Sequence, residues 1–216
     1  MPLLKIFASI VGAAIALFAR FVTALRGVWR GVEPIDKQRI YFANHTSNGD
    51  FVMVWTALPA QIRAHTRPVA ASDYWLKSKL RAFVGRDVFK AVLIDRRSDK
   101  RTDNPVEKMI TALDEGSSLI IFPEGGRNMG PDPILPFKTG LFHMGTARPE
   151  IDMVPVWIEN LNSILPKGEV VPLPLICTVT FGAPIHVDAG ETKESFLARA
   201  ETALVALSPK TQENAT

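Results

Sequence analysis

The chain has 216 residues, of which 47% are hydrophobic and 22% charged, with a formal net charge of +3 and a pI of about 9.1. This length suits one domain with a full hydrophobic core, and the mild positive charge favours an anionic partner. The single cysteine excludes a disulfide within the chain, and Cys177 lies in an apolar run that predicts a buried core residue.

Residues 1–30 are predicted to form an N-terminal membrane-associated helix. Small or polar residues recur at steps of three or four on one helical stripe, namely Lys5, Ser9, Gly12, Ala16, Arg20, Thr23, Gly27 and Arg30. The remaining surface is large and apolar, which is typical of a helix lying in the headgroup region with its apolar face down. A tilted span, a signal peptide and a helix docked on the domain are the alternatives.

Residues 31–208 are predicted to form one domain, followed by a polar tail at 209–216. The predicted strands are Arg39–Ala43, Pro68–Ala71, Val88–Ile94, Ser118–Phe122, Met153–Ile158 and Cys177–Phe181. The predicted helices are Asp50–Ala60, Leu76–Val84, Asn104–Asp114, Phe137–Thr146 and Glu191–Leu207, and the proline-rich segment Leu165–Pro174 is a predicted loop. This alternation predicts an α/β fold with a mainly parallel central sheet flanked by helices.

The first candidate site follows the strand Arg39–Ala43, where residues 44–50 read N-H-T-S-N-G-D. His45 and Asp50 can form a general base and the carboxylate that orients it. Because no serine in a G-x-S-x-G setting occurs in the chain, the hydroxyl to be activated is expected to belong to a substrate. The alternative is a loop in which Asp50 only caps a helix.

Two later runs carry candidate ligands for such a substrate. Residues 120–128 read I-I-F-P-E-G-G-R-N, a strand ending in a turn with Glu124 and Arg127 at its mouth. A guanidinium suits a phosphate, and Glu124 can hold a polyol hydroxyl. Residues 92–97 read V-L-I-D-R-R and bring Arg96 to the same sheet edge as a second phosphate ligand. Solvated charged turns are the alternative for both runs.

Together these motifs resemble those of the glycerolipid acyltransferase family, in particular its lysophosphatidic acid acyltransferase (1-acylglycerol-3-phosphate O-acyltransferase) branch. Its N-H-x-S-x-x-D, I-D-R and F-P-E-G-T-R-S motifs are matched in order at residues 44–50, 94–96 and 122–128. A family F-K-x-G and an apolar stretch around a proline are similar to residues 137–140 and 154–156. The chain departs from the family at Lys90 (usually Gly), Leu93 (usually Phe), Gly126 (usually Thr) and Asn128 (usually Ser).

The resemblance implies transfer of a fatty acyl group from acyl-CoA or acyl carrier protein to the free hydroxyl of lysophosphatidic acid, giving phosphatidic acid in phospholipid biosynthesis. In this reading His45 is the base and Asp50 its partner. Arg96, Glu124, Gly125 and Arg127 bind the acceptor. No cofactor is expected besides the thioester co-substrate. Because such donors are cytoplasmic, the resemblance also implies association with the cytoplasmic face of the inner or cell membrane, and it disfavours the signal peptide.

Other functions stay open at this stage. Gly126 and Asn128 fall where the family recognises its acceptor, so another lysophospholipid or an amino-acid-derived lipid is an alternative substrate. A non-catalytic lipid-binding protein and a thioesterase that uses water are further alternatives. No metal ion is expected, because His65, His143 and His186 show no metal-ligand spacing.

Positive charge is concentrated between Lys77 and Arg101. The basic residues there are Lys77, Lys79, Arg81, Arg86, Lys90, Arg96, Arg97, Lys100 and Arg101, against the acidic residues Asp87, Asp95 and Asp99. Such a segment attracts anionic membrane lipid or holds the phosphates of coenzyme A, unless it is simply a solvated face. No aromatic or glycine-rich RNA motif accompanies it, so nucleic acid is not a predicted partner.

Overall fold

The computed structural model describes residues 2–95, 104–159 and 177–209. Its strands are β1 Arg26–Trp29, β2 Arg39–Ala43, β3 Thr66–Ala71, β4 Val92–Ile94, β5 Ser118–Ile121, β6 Asp152–Glu159 and β7 Thr178–Phe181. Its helices are α1 Pro2–Thr23, α2 Asp50–Ala57, α3 Ala60–His65, α4 Ser72–Trp75, α5 Lys79–Phe83, α6 Pro105–Asp114, α7 Gly140–Ala147 and α8 Lys193–Val205, with a π-helical turn at Val84–Val88.

The seven strands form one sheet in the order β1-β7-β6-β2-β5-β3-β4. Strands β6, β2, β5, β3 and β4 run parallel to one another, whereas β7 is antiparallel to β6 and β1 is parallel to β7. The predicted α/β fold with a mainly parallel sheet is therefore confirmed. Since β2 lies at the centre between β5 and β6, the loop that follows it opens at the middle of the sheet's carboxyl edge.

Each face of the sheet carries its own hydrophobic core. Alternate residues of β2 point to opposite faces, Tyr41 and Ala43 to one and Ile40 and Phe42 to the other. The first face packs against side chains of α1, α2 and α3. The second packs against α6, α7 and α8. The buried Cys177 belongs to the first core, which confirms the prediction for this residue.

Helix α1 docks on the first face through its small residues. The buried positions are Ala8, Gly12, Ala16, Ala19 and Thr23. A Cβ atom at Gly12 would lie 3.3 Å from Cγ1 of Val88 and 3.4 Å from the Trp55 ring, so the two surfaces approach closely. The large side chains point outward, with Phe21 86% and Leu3 80% exposed. Helix α1 is long and apolar enough to cross a membrane. It thus docks on the domain by its small face and keeps its large apolar face unburied.

The structure corrects the predicted end of the N-terminal helix. Helix α1 stops at Thr23, and Ala24 follows with a φ of 43°. Residues Arg26–Trp29 then join the sheet beside β7, where the Trp29 ring stacks on Phe181 with centroids 4.0 Å apart. The predicted helix over residues 24–30 is therefore wrong, because pairing with β7 outweighs the local helical pattern. The division of the chain at residue 30 stays a prediction.

Several other boundaries differ from the sequence pattern by a few residues, including the helix starts predicted at Leu76 and Phe137, which lie at Lys79 and Gly140, and two of the differences have a clear cause. The helix predicted to reach Ala60 ends at Ala57, since Pro59 holds Leu58 in an extended conformation with ψ 141°. The strand predicted from Val88 is limited to Val92–Ile94, because Val88 ends the π-helical turn and Phe89 N–H still bonds Val84 C=O at 3.0 Å. The predicted loop Leu165–Pro174 and residues 210–216 of the tail lie outside the described residues.

Lys90 ends this helical segment in a left-handed conformation, with a φ of 51°. Ala91 N–H donates to Gly85 C=O at 2.8 Å, which is the hydrogen bond of a Schellman motif at a helix C-terminus. The left-handed position in this motif, here Lys90, is usually glycine. The position follows the helix and precedes β4, so it lies at the amino end of the strand, away from His45. The departure from the family at Lys90 therefore affects the backbone conformation at the end of the helix and does not alter a contact with the acceptor.

Replacing Lys90 with glycine should stabilise the protein. Glycine adopts positive φ without the steric cost that a Cβ atom carries, and we expect a gain of about 0.5–1 kcal/mol in the free energy of unfolding. Urea denaturation measures it. The matched control is Lys90→Ala, which removes the same charge but keeps the Cβ atom and should gain nothing. Equal stability of the glycine and alanine variants would contradict the assignment.

Candidate active site

The His45 loop is fixed to the sheet by Asn44. This buried side chain donates from Nδ2 to Ile158 C=O at 3.0 Å and accepts at Oδ1 from Ile158 N–H at 2.7 Å. It thereby joins the end of β2 to the neighbouring strand β6. The sequence motif contains this asparagine, but its role depends on a strand more than a hundred positions away and was not predicted. Asn44 positions the loop and leaves its neighbour His45 at the cleft.

His45 and Asp50 form the predicted pair. The distance between His45 Nδ1 and Asp50 Oδ2 is 2.9 Å, and Thr46 N–H and Ser47 N–H donate to the same oxygen at 2.7 and 2.8 Å. Asp50 is fully buried and is the first residue of α2, where the helix dipole favours negative charge. The residue preceding α2 is Gly49, and no side chain caps the helix, so the capping alternative for Asp50 is wrong.

The imidazole is held on its face as well as at its edge. The Phe122 ring stacks on His45 with centroids 4.3 Å apart and an interplanar angle of 23°. The His45 side chain is 13% exposed and lines the cleft described below. With Nδ1 donating to Asp50, Nε2 is the ring nitrogen that can accept a proton. The geometry is that of a general base with its orienting carboxylate.

Glu124 ties the His45 loop to the segment after β5. Its carboxylate accepts from His45 N–H at 2.7 Å and from Leu135 N–H at 2.8 Å, and the residue is 3% exposed. Both oxygens therefore hold backbone groups, which makes Glu124 a positioning residue for His45. Its predicted contact with an acceptor hydroxyl stays a prediction.

Glu124 should also leave a signature in the pH dependence of stability. Burial raises the pKa of its carboxyl group above 4.5, although the N–H groups of Leu135 and His45 favour the charged form. A carboxyl group whose pKa is higher in the folded protein contributes stability below its unfolded pKa, and this is lost as pH rises through the folded value. We therefore expect wild type to lose stability relative to Glu124→Gln as pH rises from 4.5.

Urea denaturation of both proteins at a series of pH values measures this difference. The amide in Glu124→Gln turns one donor toward a backbone N–H, which adds a cost that does not depend on pH. The exposed Glu150→Gln serves as the control for the loss of a surface carboxyl group. A wild-type minus Glu124→Gln difference that stays constant with pH would contradict the raised pKa.

The turn after Glu124 is also hydrogen-bonded to the His45 loop. Asn128 N–H donates to His45 C=O at 2.6 Å, and the Asn128 side chain holds Gly130 N–H and Asp132 C=O at 2.9 and 2.7 Å. Asn128 is thus buried in the turn and does not reach out toward a ligand. Gly125 has a φ of 72°, which explains why glycine stands there.

Arg127 and Gly126 lie at the exposed side of this turn. Arg127 is exposed and forms no ion pair with any residue that the structure describes, so its guanidinium is available to an anion. A Cβ atom at Gly126 would meet no atom of the described residues within 4 Å. The backbone N–H groups of Gly126 and Arg127 also donate to none of the described residues. Arg96 lies outside the described residues, directly after Asp95, which lines the cleft.

A cleft of about 1010 Å³ opens beside His45 on the second face of the sheet. Its wall is mostly apolar and includes Val69, Ile94, Met109, Ile121, Leu141 and Met144. Polar side chains stand among the lining residues too, including Glu107, Lys138 and His143. The space and its lining suit a long apolar group whose reactive end lies at His45. Within the described residues, no group of three His, Cys, Asp or Glu side chains could hold a metal ion, and the expectation of a metal-free site stays a prediction.

A base–carboxylate pair at an apolar cleft defines a site that can activate a hydroxyl next to a bound hydrocarbon chain. The sequence model of the Acyltransferase family matches residues 28–159, more than half of the chain. This protein belongs to the acyltransferase family. The matched range contains all six residues predicted for the site.

Individual relatives agree with this assignment. The chain is 28% identical over 131 residues to the 1-acyl-sn-glycerol-3-phosphate acyltransferase of Salmonella typhimurium, covering 57% of this chain and 48% of that protein. It is 27% identical over 163 residues to the enzyme of the same name from Haemophilus influenzae, covering 72% and 61%. The chain thus spans about half the length of the curated relatives it matches.

The fold has a counterpart among solved structures. The crystal structure of the 1-acyl-sn-glycerophosphate (LPA) acyltransferase PlsC from Thermotoga maritima superposes with a TM-score of 0.66 at 22% identity. The superposition covers 90% of this chain and 76% of that one. At this identity the likeness concerns the fold.

Proposed function

We propose that this protein transfers a fatty acyl group from an acyl thioester to the free hydroxyl of lysophosphatidic acid, giving phosphatidic acid. The observation that carries the proposal is the His45–Asp50 pair, 2.9 Å apart at the wall of an apolar cleft. Membership of the acyltransferase family and the names of the curated relatives support the reaction class. The donor is acyl-CoA or acyl carrier protein, and the protein works at the cytoplasmic face of the inner or cell membrane.

The proposed chemistry moves one proton through His45. Nε2 takes the proton of the acceptor hydroxyl as its oxygen attacks the thioester carbonyl carbon. The Asp50 carboxylate stabilises the imidazolium that forms. When the tetrahedral intermediate collapses, the carbon–sulfur bond breaks and the leaving thiolate takes the proton back from His45. The products are the acylated acceptor and the free thiol of the donor.

The negative charge on the intermediate needs hydrogen-bond donors. The N–H groups of His45, Thr46, Ser47 and Gly125 are already bonded within the protein. The N–H groups of Gly126 and Arg127, which are free among the described residues, are the better candidates for an oxyanion site.

In the proposal, the acceptor phosphate binds Arg127, with Arg96 as the second cation. Gly125 shapes the turn that presents Arg127, and Glu124 supports the hydroxyl-bearing end of the acceptor. The acyl chain of the donor occupies the apolar cleft. The exposed guanidinium of Arg127, with no ion pair among the residues described here, supports its part in this arrangement.

The direct test incubates the purified protein, in detergent or lipid, with acyl-CoA and lysophosphatidic acid. The amounts of phosphatidic acid and free coenzyme A are measured together, and the His45→Ala variant serves as the control. A parallel reaction replaces acyl-CoA with acylated acyl carrier protein. Equal formation of both products, dependent on His45, is the expected result. Release of coenzyme A without phosphatidic acid would instead show hydrolysis. Binding of lipid with no product from any donor or acceptor would overturn the catalytic proposal.

A different acceptor is the second candidate, and the open space at Gly126 favours it. The family usually carries threonine there, and a Cβ atom would meet none of the described atoms within 4 Å. Gly126→Thr should therefore fold normally while narrowing the mouth of the site. If Gly126 serves a larger head group, this variant should lose activity with that acceptor and keep it with lysophosphatidic acid. An acceptor panel of lysophospholipids and amino-acid-derived lipids measures the change in kcat/KM for each.

A further inference from the structure

Helices α4 and α5 and the turn between them display large apolar side chains that lie outside both described cores. Leu80 is 72% exposed, and Leu76 and Tyr74 are exposed as well. None of the three belongs to either core formed by the described residues. A group of exposed large apolar residues marks a surface that meets a partner or a membrane.

This apolar surface continues the outer face of α1. The Phe83 ring of α5 lies against the Phe7 ring of α1, with centroids 5.7 Å apart. Leu80 precedes Phe83 by three residues and therefore lies on the same side of the helix. On α1, Phe7 and its neighbours Ile6 and Ile10 are all more than half exposed. Tyr74 is tied to α5 by Arg81, whose guanidinium carbon is 4.7 Å from the ring centroid.

The same segment carries positive charge. Residues 72–90 contain the basic residues Lys77, Lys79, Arg81, Arg86 and Lys90, and the acidic residues Asp73 and Asp87. Lys77 and Lys79 are exposed and form no ion pair with any part of the chain that the structure describes. Lysines beside an apolar patch can lay their stems on it while their ammonium groups reach lipid phosphates.

We propose that helices α4 and α5 form a second membrane contact beside α1. In this contact Leu76 and Leu80 insert into the bilayer, and Lys77 and Lys79 bind anionic phospholipid headgroups. The proposal rests on the proposed membrane location of α1 and is independent of the acyl transfer. An acidic soluble protein would use the same positive charge. It would not require the apolar centre or its continuity with the exposed face of α1, so the bilayer fits the surface better.

A site-specific fluorescent probe tests insertion without any turnover. Cys177 is buried, and burial raises the pKa of its thiol to about 12, so an introduced cysteine is labelled selectively. The full chain carrying Leu80→Cys is labelled with an environment-sensitive fluorophore and mixed with phosphatidylcholine–phosphatidylglycerol vesicles containing tail-brominated lipid. The exposed Thr202→Cys on α8, which packs on the opposite face of the sheet, is the matched control.

The probe at Leu80 should shift to the blue and be quenched by brominated tails, whereas the probe at Thr202 should not respond. A Phe18→Cys probe on α1 reports whether the protein has bound the vesicles at all. Insertion at Phe18 with an aqueous signal at Leu80 would overturn the proposal. A Leu80 probe that responds to acyl carrier protein and not to vesicles would overturn it as well, in favour of a protein partner.

Charge variants test the lipid selectivity. Each lysine lost should weaken partitioning onto anionic vesicles about fivefold, so Lys77→Gln/Lys79→Gln should bind about 25-fold more weakly. Binding to pure phosphatidylcholine vesicles should change little. Lys193→Gln on α8 removes a charge on the opposite face of the sheet and should leave binding to both kinds of vesicle unchanged. If the double variant and Lys193→Gln lost affinity for anionic vesicles equally, the effect would be one of overall charge, and the proposed lipid-binding role of Lys77 and Lys79 would be wrong.

Discussion

Replacing His45 with alanine should lower kcat for acyl transfer by about 10²–10⁴-fold, because the acceptor hydroxyl loses its base. KM for the acceptor should change little, since the proposed phosphate ligand Arg127 stays in place. Steady-state rates from coenzyme A release, at saturating donor and a series of acceptor concentrations, measure both constants. The buried Asp50 keeps its two bonds from Thr46 and Ser47 N–H, so the fold should survive the change.

His65→Ala is the control for this variant, because His65 is an exposed residue at the end of α3. It should keep wild-type rates. A His45→Ala protein that folds normally and retains most of its activity would overturn the proposed mechanism. Thermal unfolding of each variant separates loss of chemistry from loss of structure.

The second large effect is expected for Asp50→Asn. An asparagine can keep the bonds from Thr46 and Ser47 N–H only by turning its oxygen toward them. Its amide N–H₂ must then find other partners in a fully buried site. That oxygen is also the one 2.9 Å from His45 Nδ1, so the imidazole keeps a neutral acceptor but loses the negative charge that stabilises the imidazolium. We expect a loss of about 10³–10⁴-fold in kcat, the scale of the same change in a serine-hydrolase triad.

Activity of Asp50→Asn should be expressed per folded molecule, because the buried amide also costs about 1–3 kcal/mol of stability. Asp36→Asn, at an exposed loop position, is the matched control and should behave as wild type. A rate within tenfold of wild type would show that Asp50 is structural and that His45 needs no orienting carboxylate.

Much of this site could be predicted because its residues follow short apolar strands with clear ends. Glycines, prolines and polar runs mark those ends, and parallel strands bring their carboxyl ends to one edge. His45 and Glu124 therefore meet as expected, since β2 and β5 are neighbours with Phe42 opposite Ile121. His45 and Asp50 lie only five positions apart, so their pairing depends on the conformation of one short loop and could be predicted from the local sequence.

Roles that depend on distant partners could not be predicted. The function of Asn44 lies in its bonds to Ile158, and that of Glu124 in its bond to Leu135 across the turn. Strand β1 exists because β7 is there to pair with it, whereas locally its residues continue a helical stripe. The apolar run from Val88 to Ile94 was divided between a π-helical turn and a strand, because an apolar run alone cannot tell the two apart.

The sheet itself separates the two apolar environments of this protein. Helix α1 packs on one face, and the cleft opens on the other. A hydrocarbon tail still anchored in lipid beside α1 and a tail lodged in the cleft would therefore lie on opposite sides of β2. The two meet only at the rim where His45 stands. In the proposed reaction a diacyl product would straddle that rim, so its departure would require the newly attached tail to be drawn out of the cleft and around the ends of the strands.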